Sequence, residues 1–319
     1  MAEIMFDGKP LRLTEWTSCG GCAAKWGKDL LAGLVNELPA SVDPSLLIGL
    51  APFDDAAVYK VSDDIALVST TDFFPPLVDD PSDFGAIAAA NACSDVYAMG
   101  GSPKYLVVAV TLTGQESMEW IEELAEGIAH EARSCGAFVV GGDLAKGPCI
   151  VISMTAIGEV DNPITRSGAQ VGDSIYISSL PGWSAAGLSI IEKELEDDLA
   201  VHAVSEHNAP TVDYASAIQF SNNRAHSMCD VSDALITQAN QLAQASGVAL
   251  KFDQWLFTQH PEFLTLKELA DSQDADVWQW IFAGGEDHVF LATGNDLDGF
   301  CVGTVIEGNG VLGVEMKKA

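Results

Sequence analysis

Two apolar stretches, "YLVVAVTL" from Tyr105 and "CIVISMTAIG" from Cys149, are the longest of their kind and reach only about ten residues. A membrane span needs roughly 18 or more. The stretches therefore read as strands, and no membrane span is expected. Between them lies "ESMEWIEELAEGIAHEARSCG" (116–136), with apolar residues at helical spacing, and then "AFVVGGD" (137–143), again strand-like. Strand, helix and strand in alternation commit the chain to an α/β or α+β architecture.

The same alternation covers most of the sequence. "GKDLLAGLVNEL" (27–38) has a helical period. "AAVYKV" (56–61) and "IALVSTT" (65–71) read as strands joined by a turn at "SDD". "DFGAIAAANACSDVYAMGG" (83–101) is an alanine-rich helix that ends on a glycine pair, a C-cap signal. The polar, Pro- and Gly-containing "EVDNPITRSGAQVGD" (159–173) reads as a seam. Beyond it come the strand "SIYISS", a helix from about Ser184 and the strand "HSMCDV" (226–231). A helix at "DALITQANQLAQASG", the strand "VALKFD" and the elements "GGEDHVFLAT" and "CVGTVIEG" complete the pattern. Three regions are expected: a glycine-rich arm over 1–25, a domain over 26–160 and a second over 161–319.

Hydrophobic residues make up 48% of the 319 and charged residues 19%, which suits folded domains. Fifteen basic residues face 46 acidic ones, for a net charge of −31. Such a field repels nucleic acid and anionic lipid, so any phosphate ligand must be held locally by cations or backbone amides. Seven cysteines, odd in number and scattered, argue for reduced thiols rather than a disulfide framework. Cys93, Cys135, Cys149 and Cys301 lie in small, apolar contexts and read as packing residues. "MAEIMFDGKPLRL" lacks a basic-then-apolar leader pattern. A cytoplasmic protein is the expectation.

Acidic residues recur where apolar runs end. Asp54 and Asp55 precede a strand, Asp72 follows one, and Asn91 and Asp95 stand four apart on one side of a helix. Asp143 follows a glycine pair. Asp230 ends a strand and Asp233 opens a helix. Glu286 and Asp287 sit in "GGEDH". One such aspartate alone reads as a turn or cap residue. As a set they suit magnesium, which takes a few carboxylates together with phosphate oxygens and offsets charge in phosphoryl transfer. No GxxxxGK[ST] loop, kinase catalytic loop or GxGxxG after a strand is present, so ATP would have to be bound by another architecture.

"SCGGCAAKWG" (18–27) admits three readings: a metal clip, a redox pair, or a reactive thiol beside a lysine. Zinc would want four ligands, and the six histidines offer no matching spacing. A redox pair wants a helix start in a compact fold. Gly20 and Gly21 instead favour a mobile arm.

These stretches carry a family resemblance. "LTEWTSCGGCAAK", "FDDAAVY", "STTDFFPPLVDDPSDFGAIAAANACSDVYAMGG" and the glycine pair before Asp143 resemble selenophosphate synthetases, of the aminoimidazole ribonucleotide synthetase superfamily, over residues 11–143. The resemblance implies a two-domain fold. A mixed N-terminal sheet with helices pairs in a homodimer, with ATP on the interface side of the sheet, and an α/β domain follows. It implies conversion of ATP, selenide and water to selenophosphate, AMP and phosphate. By the same resemblance Cys22 is the thiol and Lys25 the phosphate-contacting lysine. Lys25, Thr71, Asp72, Asn91, Gly141 and Gly142 would contact nucleotide. Asp55, Asp72, Asp95, Asp143 and Asp230 would hold magnesium. Selenide, or a protein delivering selenium, would be the partner; nucleic acid and membrane would not.

The second half resembles thiamine-monophosphate kinase instead, through "RSGAQVGDSIYIS", "SAAGLSI", "CDVSDALITQANQLAQASGVAL", "AGGEDHVFLAT" and "VGTVIEGNGV". Asp143 stands where synthetases more often have histidine. Trp183 stands where the kinases would have an acidic residue. A small-molecule kinase that yields ADP is the alternative reading. In the synthetase reading, Lys25 approaches phosphate oxygens and its charge favours the Cys22 thiolate, which guides the selenium nucleophile. Cys19 is read as a neighbour.

Overall fold

A computed structural model describes residues 4–6, 9–11, 38, 43–50, 54–193 and 200–316. Cys19, Cys22 and Lys25 lie outside the described residues, as does the helix expected over 27–38 apart from Leu38. The chain divides into two compact units, Met1–Val96 with Gly101–Asp161, and Tyr97–Gly100 with Asn162–Ala319.

In the first unit β1 (Ile4–Phe6) and β2 (Lys9–Leu11) form an antiparallel ribbon. The main sheet contains β3 (Leu46–Ile48), β4 (Ala57–Lys60), β5 (Ala66–Phe74), β6 (Ser102–Leu112), β7 (Phe138–Lys146) and β8 (Val151–Val160). Its order is β3-β4-β5-β8-β6-β7. The turn expected at "SDD" joins β4 to β5, with the Val61 N–H donating to the Ile65 carbonyl at 3.0 Å. Every ladder is antiparallel except β6 with β7. A parallel pair needs a crossover. Here it is the helix α2 (Met118–Ser134), which the sequence placed at 116–136. Trp120, Leu124, Ile128 and Ala132 recur at four-residue spacing and are buried, and Ser117 caps the first turn by accepting from the Trp120 N–H.

The alanine-rich helix is α1 (Pro81–Ala98). Its small side chains are buried almost throughout, and Phe84, Ile87 and Val96 are buried with them. The glycine pair ends it as the pattern predicts. Gly100 takes a left-handed φ of 73° and donates to the Tyr97 carbonyl, while Gly101 donates to that of Val96. These are the two bonds of a Schellman motif, and they satisfy carbonyls the helix would leave bare.

The second unit holds β9 (Ser174–Ile177), β10 (Ser227–Val231), β11 (Ala249–Phe252), β12 (Val289–Gly294), β13 (Phe300–Ile306) and β14 (Gly310–Leu312). Their order is β10-β12-β9-β13-β11-β14, antiparallel but for β11 with β14. Among the described residues its helices are α3 (Trp183–Lys193), α4 (Ala200–Asn208), α5 (Tyr214–Asn222), α6 (Leu235–Ser246), α7 (Gln254–Phe257), α8 (Phe263–Ser272) and α9 (Val277–Ala283). Phe282 meets Phe252 and Phe257 edge to face, those two are tilted against each other, and the three lie in the core with Ile175, Ile177, Leu235 and Leu242. "GGEDHVFLAT" was expected as one element, but its strand starts only at Val289. Residues 284–288 form a loop in which Glu286 and His288 hold left-handed φ values of 63° and 51°. No helix among the described residues is long and apolar enough to cross a membrane.

Candidate active site

In the first unit β5 runs between β4 and β8, so its backbone is fixed on both sides. Successive side chains along it point to opposite faces, and residues paired across a ladder share a face. Val68 and Phe74, both buried, mark the core face. Thr70 and Asp72 have the same parity and stand on that face. Asp72 pairs with buried Met154. α1 brings Asp95 to the same side: the Thr70 hydroxyl donates to its Oδ2 at 2.6 Å. Asp55, immediately before β4, places a carboxylate oxygen within 4.8 Å of one from Asp95. Both aspartates are half-buried. Two half-buried carboxylates that close form a hard-oxygen donor set of the kind magnesium takes. The residues present fit that ion.

Asn91 lies one turn before Asp95 but is buried, and its Nδ2 donates to the Ile87 carbonyl at 3.3 Å. The i,i+4 spacing seen in the sequence is real, yet the two side chains differ in exposure.

Thr71 occupies the opposite face and shares a hydroxyl hydrogen bond of 2.7 Å with Thr155. Parallel pairing sets Gly141 beside Val107 and Asp143 beside Ala109, on Thr71's face, and Gly142 beside Val108 on the core face. Asp143 is exposed and accepts from the Leu144 N–H at 2.9 Å. A Cβ on Gly142 would lie 1.9 Å from the Val108 carbonyl oxygen, so strand packing alone demands glycine there. The structure thus gathers Asp55, Asp95 and Thr70, places Asp72 on their face, and sets Thr71, Gly141 and Asp143 on the other.

In the second unit Asp230, on β10 opposite Phe290, is buried. The "GGEDH" loop folds its charges inward. Asp287 accepts from the Gly182 and Ser184 N–H groups at 2.8 and 3.0 Å, capping the start of α3. Burial pushes its carboxyl up to about 7, against the two amide bonds that favour the charge. Burial would discharge His288, but the Glu286 carboxylate, with Asp230 and Asp287, outweighs it and raises the ring's pKa. Ser184 Oγ lies 3.2 Å from His207 Nδ1, and burial lowers the His207 pKa. Trp183 Nε1 donates to Glu262 Oε2 at 3.1 Å.

Sequence reasoning missed Thr70 and the capping role of Asp287. Thr70 could have been found from strand alternation, since it precedes Asp72 by two. Asp287 could not, because its partners are over a hundred residues away.

Residues 53–160 match the family "AIR synthase related protein, N-terminal domain". A selenide, water dikinase from Clostridioides difficile (strain 630) is 35% identical over 246 residues, covering 76% of this chain and 70% of the relative. Across eight such relatives the chain spans 58–70% of their length. Among solved structures, AaThiL complexed with AMPPCP and TMP has a TM-score of 0.78 at 27% identity, covering 97% of both chains. Thiamine monophosphate kinase from Aquifex aeolicus has a TM-score of 0.75 at 26% identity, covering 91% of this chain and 97% of its own. The fold is the one expected, and the chain belongs to the selenide, water dikinase family.

Proposed function

We propose that this chain is a magnesium-dependent selenophosphate synthetase, turning ATP, selenide and water into selenophosphate, AMP and phosphate. The observation that carries the reading is the Asp55–Asp95 carboxylate pair on the helix-covered face of the first sheet. Bound there, magnesium would offset repulsion between this acidic chain and the triphosphate. Asp55 and Asp95 are the proposed core of the ligand set. Asp72 and Asp230 are proposed as further ligands on the sequence resemblance, with Asn91 and Gly142 as nucleotide contacts, whereas Asp143, Thr71 and Gly141 stand on the opposite face of the sheet and are left out of this set. Lys25 is assigned to the phosphates and Cys22 to the selenium nucleophile, both on sequence grounds. A cytoplasmic location, suited to reduced thiols, is part of the proposal.

A homodimer is proposed as well. Phe138, Val139, Val140 and Leu144 are exposed on the edge strand β7, beside exposed Tyr105 and Val107 of β6. An apolar, unpaired strand edge is a liability for a monomer. A second copy on this surface would bury it. Sedimentation should show a dimer, and Leu144→Lys should yield monomers; a monomeric unmodified chain would refute the pairing.

The likeness to AaThiL over nearly the whole chain supports a second reading, a kinase of the thiamine-monophosphate type. Phosphorus NMR of an anaerobic reaction with ATP, magnesium and selenide separates the two. Selenophosphate and AMP support the synthetase. With thiamine monophosphate added in place of selenide, conversion of ATP to ADP with transfer of its γ-phosphoryl group to thiamine monophosphate would replace it.

A further inference from the structure

We infer that Thr70 is a positioning residue, which sets the Asp95 carboxylate for metal binding. The inference rests on the proposed magnesium site and extends it to a side chain that does not itself serve as ligand. The Thr70 hydroxyl donates to Asp95 Oδ2 at 2.6 Å, within the range of a charge-assisted O–H···O⁻ bond. Two different elements are tied by this bond. Thr70 belongs to β5, held in register by ladders on both sides, with Ser69 opposite Ala57 and Thr70 opposite Ala156. Asp95 belongs to α1, where a free carboxylate would sample several rotamers.

Engaging Oδ2 restrains the plane of the carboxylate, which stands within 4.8 Å of an oxygen of Asp55. A metal ligand whose orientation is set by an outer hydrogen bond binds more tightly, and loss of such a bond typically costs about 10–100-fold in metal affinity. Asp55 depends on no such tether to Thr70. The strand-to-helix bond therefore decides how well the pair is organised before the ion arrives.

The test uses the full chain and manganese as the probe, titrated by calorimetry without nucleotide, beside magnesium-dependent ATP turnover. Thr70→Val keeps the shape and removes the donor. It is expected to raise the manganese dissociation constant about 10–100-fold. The magnesium concentration for half-maximal turnover should rise in step, more than saturating turnover falls. Thr70→Ser restores the donor and is expected to bind within about threefold of the unmodified chain, a rescue that a packing role for the Thr methyl would not give. Melting temperatures keep folding separate from binding, and Thr70→Ala, which also lacks the donor, carries the test should the valine variant fold poorly. Asp95→Asn separates the two failures. If it abolishes manganese binding while Thr70→Val binds normally, the positioning role is wrong and the site stands. If the unmodified chain and Asp95→Asn bind manganese equally poorly, the site itself is wrong and this inference falls with it.

Discussion

Asp95 lies within a helix and Asp287 caps the start of one, and the protein treats the two aspartates in opposite ways. Asp95 is half-buried and accepts from the Thr70 hydroxyl on one oxygen. Asp287 is buried, and two backbone amides of the α3 start take up its oxygens. Burial lifts its pKa to about 7. A carboxylate that must meet an ion has to stay ionised and wet; one that organises a loop can be consumed by the fold. The contrast also sorts the acidic motifs of the sequence. "NACSD" holds the proposed ligand half-buried, whereas "GGEDH" is occupied with its own structure.

The sharpest attempt to break that contrast exchanges each aspartate for asparagine. At Asp95 the change should cost turnover about a hundredfold or more, since several kcal/mol of metal-borne charge stabilisation depend on the ligand set. The melting temperature should barely move, because a half-buried amide can still accept from Thr70. Steady-state rates beside thermal melts check this. A variant with normal rates, or one that loses its fold, would erase the distinction drawn between the two sites.

At Asp287 the expected pattern reverses, with stability changing most. Asp287→Ala leaves the Gly182 and Ser184 amides without their acceptor, at about 1–3 kcal/mol each. Asp287→Asn keeps an acceptor and isolates the charge. The folded carboxyl binds its proton more tightly than the unfolded one, at about 7 against 3.8. As pH rises between these values the unfolded chain ionises first, so the contribution of Asp287 to stability falls, and it levels off above about 7. His288, whose pKa is also raised, adds to the same fall, since its favourable protonation is lost as pH climbs. The stability difference between Asp287→Asn and the unmodified chain should therefore grow in the variant's favour from pH 4 to pH 7. Urea melts across that range read it, and a flat difference would mean Asp287 is ionised in the fold.

The sequence made the first unit more legible than the second, for a physical reason. β5, α1, β6, α2, β7 and β8 are long, with periods of two or of about 3.6 that survive a residue or two of error at each end. In the second unit α7, α8 and α9 are four, ten and seven residues long and lie close together. They depend on aromatic packing, such as Phe257 against Phe282, that no local pattern announces. In the site, the four-residue interval put Asn91 and Asp95 on one side of α1 correctly. It could not say that Asn91 would be buried and bonded back to Ile87. The acidic motifs were visible, but which of them share a face depends on pairing between strands, and hence Thr71 and Asp143 parted from Asp72. Eleven residues were named as candidates, nine of them among the described residues; their grouping was a tertiary fact.

The smallest effect sharpens the comparison from the helix side. α1 ends at Gly100, where φ is 73° and a Cβ would sit 3.2 Å from Ile164 Cδ1 and from Ser221 Oγ. Gly100→Ala should cost about 1–2 kcal/mol for the left-handed backbone, plus whatever the tight contacts add. Gly100→Asn, whose side chain tolerates this conformation better, should lose less backbone energy while meeting the same neighbours. Asp95 stands about one turn back from this end, yet its carboxylate is anchored to β5 and not to the cap. Manganese affinity should then hold within about twofold in both variants, far from the 10–100-fold expected when an outer-shell bond is cut. Should Gly100→Ala weaken the metal as much as Thr70→Val does, the helix end rather than the strand would be what sets Asp95.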